Sequence, residues 1–233
     1  MPRLMSQWRV AVNGEETSAL FEPAMEGNGG AVFVCAHGAG GHMADRGMGR
    51  LAEVLRASGF DVVRFNFLYK QKGSRRPDPM THLKACIDAV VSRTRSELSP
   101  STVIIGGRSM GGRAASIAAA ERRDACDALL LLAYPLHPAG QPERLRDAHL
   151  PQIAVPVLCF NGTRDALCQR ELMEGTLRTV AAPWQMHWLD GADHSFHVLK
   201  TSGRTDEEVL SEIGDVSRTW LTRLRGEILV VPK

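Results

Sequence analysis

Short apolar runs and longer stretches with apolar residues at helical spacing alternate along most of the chain. The first two runs, 7–12 and 17–23, flank Asn13 and Gly14, a pair typical of the turn of a β-hairpin. Six further runs predict strands over 31–38, 61–69, 102–107, 128–135, 155–162 and 184–191. Several of them are continuous β-branched or leucine-rich runs, as is typical of parallel strands covered on both faces.

Helical patterns lie between these runs. Residues 44–58 carry apolar residues on one face and stop before Gly59, a favourable C-terminal cap. Asp78 and Pro79 predict the start of the next helix, as an N-cap followed by proline at the first helical position. An alanine-rich helix, able to pack very close to a sheet, is predicted over 110–122.

The last helix is predicted to begin with Thr205 and Glu208, the pattern of a capping box. Its apolar face is expected to bury Val209, Ile213, Val216, Trp220 and Leu224. The alternation predicts an α/β fold: a mainly parallel sheet of about eight strands with helices on both faces, in a single domain over residues 1–233. The connection 135–155 is short, polar and proline-rich, so we expect no large cap domain.

Composition and charge exclude several classes of protein. A net charge of +2 over 233 residues argues against a dedicated nucleic-acid binder, and no apolar run is long enough to cross a membrane. The N-terminal residues lack the apolar core of a signal peptide, and five cysteines without CxxC spacing favour reduced thiols. We therefore expect a cytoplasmic protein without metal or other cofactor, and without nucleic-acid or membrane partners.

Four glycines surround one serine at the end of the run 102–107. The segment "GRSMG" (107–111) matches G-x-S-x-G, the nucleophile elbow, in which a sharp turn between strand and helix exposes the serine hydroxyl. The glycines are expected to prevent a collision between strand and helix. A glycine-rich phosphate-binding turn is the alternative, although neither G-x-G-x-x-G nor the Walker A lysine is present.

Ser109 needs a histidine to take its proton and a carboxylate to orient that histidine. His194 and Asp165 each follow a predicted strand, at the sheet edge where Ser109 is expected. Asp190 and Asp193 are rivals for the acid because they precede His194 closely. A residue so close in sequence to a histidine cannot easily place its carboxylate behind the imidazole ring. We therefore expect Asp190 and Asp193 to shape the loop instead.

The glycine-rich turn "HGAGG" (37–41) follows a predicted buried strand. Its glycines allow the backbone to approach a reacting carbonyl, and we expect the N–H groups of Ala39 and Met110 to form an oxyanion hole. Gly38 and Gly40 are then neighbours of the substrate. His37 is expected to brace this turn through hydrogen bonds and to take no part in the chemistry.

The segments "HGAGG", "RFNF", "GGRSMGGR", "YPLHP", "NGTRD" and "DGADHSF" together resemble the α/β-hydrolase superfamily over nearly the whole chain. More narrowly, they resemble the small, lid-poor group related to dienelactone hydrolase, with the testis-expressed hydrolase-like proteins and the third non-specific-lethal subunit. The resemblance implies Ser109, Asp165 and His194, in that chain order, as a catalytic triad. Dienelactone hydrolase has a cysteine where this chain has Ser109, so that specific activity is not implied.

A serine hydrolase that cleaves a carboxylic ester or thioester of a small acyl substrate is therefore expected. The alternative is a hydrolase-fold interaction module without turnover. Arg108, beside Ser109, is a further candidate for substrate contact. The basic loop 70–78 is either a solvated loop or a collar that attracts an anionic substrate. Its cationic side chains are Lys70, Lys72, Arg75 and Arg76.

Overall fold

The computed structural model describes residues 3–26 and 30–230, which form an eight-stranded sheet in the order β1-β2-β4-β3-β5-β6-β7-β8. The strands are β1 Ser6–Val12, β2 Glu15–Glu22, β3 Ala31–Ala36, β4 Asp61–Phe65, β5 Thr102–Arg108, β6 Ala128–Leu132, β7 Val157–Gly162 and β8 Trp184–Leu189. β2 pairs antiparallel with β1 and β4, and the other pairings are parallel. The predicted hairpin is confirmed, with Asn13 and Gly14 both at positive φ.

Helices cover both faces of this sheet. They are α1 Arg46–Ala57, α2 Leu68–Gln71, α3 Met80–Leu98, α4 Met110–Glu121, α5 Arg170–Leu177 and α6 Asp206–Val230. Alternate residues of the parallel strands enter two separate cores: Leu129 and Leu131 pack with α3 and α4, whereas Leu130 and Leu132 pack with α1 and α6. This two-sided burial explains why the strands are apolar without alternation.

The strand predicted over 61–69 is too long, because β4 ends at Phe65 and the chain turns into α2. The backbone N–H of Phe67 donates to the ring of His37 at 3.1 Å, and the Asn66 side chain accepts from the backbone of Met43 at 2.9 Å. Beyond Phe65, hydrogen bonds to His37 and to the loop that contains Met43 therefore replace the strand-to-strand hydrogen bonds of the sheet. An apolar run cannot reveal this exchange.

The sequence predicts two N-terminal helix caps, and one of them is wrong. Asp78 does not cap α3: its carboxylate accepts from the backbone N–H of Tyr69 at 2.9 Å, and Pro79 stands at the cap position. The capping box of α6 is confirmed, because Glu208 N donates to Thr205 Oγ1 at 3.2 Å and Thr205 N donates to Glu208 Oε2 at 2.7 Å. The short α5 was not predicted.

The connection between β6 and β7 contains no cap domain. Its regular structure is one 3-10 turn, Leu150–Gln152. The buried His137 joins it to the segment before α5, since Gln169 N donates to the His137 ring at 3.1 Å.

In the part of the chain that the structure describes, no helix combines the length and apolarity needed to cross a membrane. The predicted α/β architecture is confirmed.

Candidate active site

Ser109 joins β5 to α4 in a backbone conformation that non-glycine residues rarely adopt, with φ 50° and ψ −116°. Its backbone N–H donates to the carbonyl of Leu132 at 2.9 Å, so the neighbouring strand β6 holds the turn in place. The strained turn projects the Ser109 hydroxyl beyond the carboxyl edge of the sheet. This is the geometry expected of a nucleophile elbow.

The glycines around Ser109 are required by the close approach of other backbone segments, in two cases by β3 and the residue that follows it. A Cβ atom on Gly107 would lie 2.1 Å from the carbonyl oxygen of Ala36, and one on Gly111 would lie 2.6 Å from that of His37. A Cβ on Gly112 would lie 2.6 Å from the carbonyl oxygen of Gly107. The expected collision between strand and helix therefore applies to Gly112, whereas Gly107 and Gly111 are limited by β3.

A chain of hydrogen bonds joins the three predicted polar side chains. His194 Nε2 lies 2.9 Å from Ser109 Oγ, and His194 Nδ1 lies 2.8 Å from Asp165 Oδ2. A carboxylate only accepts, so Nδ1 carries the proton and Nε2 is free to accept from the serine hydroxyl. The Asp165 side chain has no exposed surface, whereas that of His194 is 27% exposed. The fold thus brings together residues that lie far apart in the sequence.

Asp165 is fixed in position from behind. It accepts from the side-chain amide of Asn161 at 3.0 Å and from the backbone N–H of Leu167 at 2.8 Å. The Asn161 amide also accepts from Tyr134 N at 3.1 Å and donates to Tyr134 O at 3.0 Å. Asn161 was not singled out from the sequence, although a polar residue inside an apolar run four positions before Asp165 was a usable signal.

The two rival aspartates shape the loop around His194, as expected. Asp193 Oδ1 accepts from the backbone N–H groups of Ser195 at 2.7 Å and His197 at 3.0 Å. Asp190 accepts from the Thr163 hydroxyl at 3.4 Å. Neither carboxylate contacts the His194 ring.

The turn 37–41 is braced by two buried rings. His37 Nε2 accepts from Phe67 N, so Nδ1 carries the proton and donates to Gly38 O at 2.7 Å. Tyr69 donates its hydroxyl to Ala39 O at 2.7 Å, a contact that the sequence did not indicate. A Cβ on Gly38 would lie 3.6 Å from the Cβ of Ser109, so the turn lies against the serine.

Burial lowers the pKa of His37 to about 4 from an ordinary 6.5. The unfolded chain therefore binds a proton at this histidine more readily than the folded chain does. The neutral His37 ring contributes its full stabilisation of the fold above pH 6.5, and this stabilisation is lost as the pH falls towards 4. The difference corresponds to about 3 kcal/mol. We expect NMR titration to find the His37 ring neutral down to about pH 4.

His197 provides an internal control of opposite sign, since the Asp206 carboxylate raises the pKa of that exposed ring. A His37 ring that titrates near pH 6.5, or above His197, would contradict the bracing role.

An open cleft of about 430 Å³ lies in front of Ser109. Its lining comprises Gly38, Ala39, Gly40, Gly41, Asp45, Gly47, Met48, Arg108, Ser109, His194 and Ser195. The predicted neighbours of the substrate, Gly38, Gly40 and Arg108, are thus placed around it. Met110 is the first residue of α4, so its backbone N–H has no partner within the helix.

Arg75 and Arg76 do not line this cleft. Arg76 and Lys72 line a separate hollow that is bordered by Tyr69, and Lys72 forms an ion pair with Glu15. Lys70 lies 5.8 Å from the centre of the Tyr69 ring. Contact between the basic loop and substrate stays a prediction. A metal has no evident site either, since no three His, Cys, Asp or Glu side chains of the described residues are grouped to hold one.

A second hydrogen-bonded serine–histidine pair lies inside the protein. Ser116 Oγ is 2.8 Å from His149 Nε2, but Ser116 is completely buried, and no hydrogen bond joins this ring to a carboxylate among the described residues. Burial lowers the pKa of His149 to about 4. This pair lacks both access and an orienting acid, so it serves as a control for the site at Ser109.

Comparisons with known proteins agree with this fold. A serine hydrolase without a lid from Xanthomonas campestris is 20% identical, with a TM-score of 0.76 over 94% of this chain and 96% of that one. Dienelactone hydrolase from Anabaena variabilis is 20% identical, with a TM-score of 0.71 over 94% and 97% of the two chains. An α/β serine hydrolase homologue from Coxiella burnetii is 19% identical, with a TM-score of 0.73 over 92% and 96%.

These identities establish likeness of fold. The family model of the alpha/beta hydrolase domain matches residues 29–222, most of the chain and all of the elements that carry Ser109, Asp165 and His194. The chain therefore belongs to the alpha/beta hydrolase family.

Proposed function

We propose that this protein is a serine hydrolase that cleaves carboxylic esters or thioesters through an acyl-enzyme on Ser109. The observation that carries the proposal is the hydrogen-bonded series from Ser109 through His194 to the buried Asp165. A module without turnover would have no use for the strained backbone of Ser109. Release of alcohol or thiol from short esters and thioesters, with fluorophosphonate labelling of one serine, tests the proposal.

In the first half-reaction, His194 Nε2 takes the proton of the Ser109 hydroxyl while Oγ attacks the substrate carbonyl. The carbonyl oxygen becomes an oxyanion. His194, now a cation held by Asp165, gives the proton to the leaving oxygen or sulfur, and the carbon–heteroatom bond breaks. The products are an ester on Ser109 and a free alcohol or thiol.

The oxyanion is stabilised by the backbone N–H groups of Ala39 and Met110. Two contacts support Ala39 as a donor: the turn lies against Ser109, and His37 donates to the carbonyl of Gly38, which belongs to the same planar peptide group as the N–H of Ala39. Met110 follows the nucleophile at the N-terminus of α4, where the helix dipole favours negative charge.

In the second half-reaction, water replaces the alcohol. His194 takes a proton from the water as it attacks the acyl-enzyme, and then returns that proton to Ser109 Oγ as the acid leaves. The cleft is open and no cap covers it within the described residues, which favours short or soluble acyl groups. On this proposal residues 1–233 form a single catalytic domain that works in the cytoplasm without a cofactor.

Replacing His194 by alanine is expected to lower kcat by about five orders of magnitude, because the serine loses its base. Asp165→Asn is expected to cost about four orders of magnitude, since the amide favours the wrong tautomer of His194. Asp193→Asn is the matched control, because that carboxylate contacts only backbone N–H groups. If Asp193→Asn lost more activity than Asp165→Asn, the assignment of Asp165 as the acid would be wrong.

A further inference from the structure

A smaller pocket of about 80 Å³ opens beside the cleft in front of Ser109. The two cavities share Gly47, Arg108 and Ser195, so they lie side by side. The side pocket is completed by Arg50, Leu51, Phe196, Asp206 and Leu210. It therefore combines apolar walls with charged groups.

Arg108 lines both cavities, and no carboxylate of the described residues lies within ion-pair distance of it. Its Nη2 donates to the backbone carbonyl of His194 at 2.9 Å, and its guanidinium carbon lies 5.7 Å from the centre of the Phe196 ring. It forms no ion pair with any carboxylate of the described residues. Burial lowers the pKa of Arg108, so an unpaired charge here costs free energy.

The acids whose charges act on Arg108 are engaged elsewhere. Asp193 accepts from two backbone N–H groups, Asp165 holds the ring of His194, and Asp45 accepts from the backbone of His42 at 2.7 Å. Each of them attracts Arg108 at longer range, but none lies within ion-pair distance. Their positions are set by the loops that they stabilise.

The other charges of the side pocket are paired. Arg50 lies 2.5 Å from a carboxylate oxygen of Glu207. Asp206 accepts from Val198 N at 3.0 Å and contacts the His197 ring at 2.9 Å. Of the two arginines of this pocket, Arg108 is the one without an ion pair to a described carboxylate.

We infer that Arg108 and the side pocket bind a carboxylate of the substrate, a few bonds from the carbonyl that reacts at Ser109. The inference rests on the proposed function, and it narrows the substrates to esters or thioesters whose acyl or leaving group carries a carboxylate. A guanidinium binds a carboxylate through two parallel N–H bonds. The small volume and the walls of Leu51, Phe196 and Leu210 suit a short carbon chain.

Two pairs of esters test this inference, each matched in size. Phenyl hydrogen glutarate against phenyl 5-oxohexanoate places the carboxylate in the acyl group, and acetoxyacetate against 2-acetoxyacetamide places it in the leaving group. Rates are corrected for spontaneous hydrolysis. We expect kcat/KM to favour the carboxylate in at least one pair by roughly tenfold to hundredfold, as for a charge-assisted hydrogen bond.

The ratio within a pair is then compared between variants. Arg108→Met keeps an unbranched side chain beside Phe196 and removes the charge, so the preference is expected to disappear whatever happens to the absolute rates. Arg93→Met on α3, where Arg93 pairs with Glu97 on the helix surface, is the matched control and is expected to keep the preference. Arg108→Lys retains the positive charge but cannot form the bidentate pair of hydrogen bonds, so it is expected to keep part of the preference.

An equal rate for both members of both pairs, or a preference that survives in Arg108→Met, would overturn the inference. If Arg108 only holds the loop of His194, both members of each pair slow down equally in that variant. Calorimetry with glutarate separates the inference from the proposed function: binding that depends on Arg108 supports the pocket even if no ester is cleaved. Absence of turnover together with an unlabelled Ser109 counts against the function.

Discussion

Ser109→Ala is expected to lower kcat/KM for a short p-nitrophenyl ester by about five orders of magnitude and to abolish fluorophosphonate labelling. The reason is that, on the proposed function, the hydroxyl 2.9 Å from His194 Nε2 is the nucleophile, and without it the base and the acid have nothing to activate. The residual rate would come from the oxyanion hole and binding. Mass spectrometry of the labelled peptide checks the position of the modified serine.

The second serine–histidine pair makes this experiment specific. Ser116→Ala removes a hydroxyl that is also hydrogen-bonded to a histidine ring, but at a buried position. We expect it to leave labelling at Ser109 in place. Labelling that survives in Ser109→Ala, or that disappears in folded Ser116→Ala, would contradict the assignment of the nucleophile.

Gly107→Ala is expected to lower the free energy of unfolding by about 4 kcal/mol or more. Two costs combine here: the residue has φ +130°, which L side chains rarely adopt, and the new Cβ would lie 2.1 Å from the carbonyl oxygen of Ala36. Neither backbone can move without breaking the pairing of β3 with β5. Chemical denaturation of the purified variants measures the change.

Gly175→Ala is the matched control. Gly175 lies in α5, and a Cβ there would meet nothing within 4 Å. Alanine has the higher helix propensity, so this variant is expected to be more stable by roughly 0.5–1 kcal/mol. Similar unfolding curves for Gly107→Ala and Gly175→Ala would show that the turn at Ser109 tolerates a side chain.

Local patterns predicted most of the architecture because their causes are local. Apolar runs define the buried strands, a glycine ends α1, and the capping box of Thr205 and Glu208 depends on residues three positions apart. Predictions failed where distant groups replaced local ones. β4 ends early because His37 accepts from Phe67 N, and Asp78 is drawn away from its helix by Tyr69 N.

The candidate site divides in the same way. Residue types and their positions after strands were enough to propose Ser109, Asp165 and His194, because a parallel sheet brings the carboxyl ends of its strands to one edge. The contacts that position the site could not be predicted from the sequence. The hydrogen bonds from Asn161 to Asp165 and from Tyr69 to Ala39 form only when separate segments pack together.

Arg108 illustrates the limit most clearly. The sequence by itself determined that an arginine stands beside the nucleophile, and it indicated the fold, the elbow and the candidate triad. Only the tertiary structure decided that this guanidinium borders two cavities and forms no ion pair with a carboxylate of the residues described. The physical reason is that the electrostatic environment of a charged group depends on all the groups that folding brings close to it. Most of these groups are distant in the sequence, so the sequence does not reveal which of them will be neighbours.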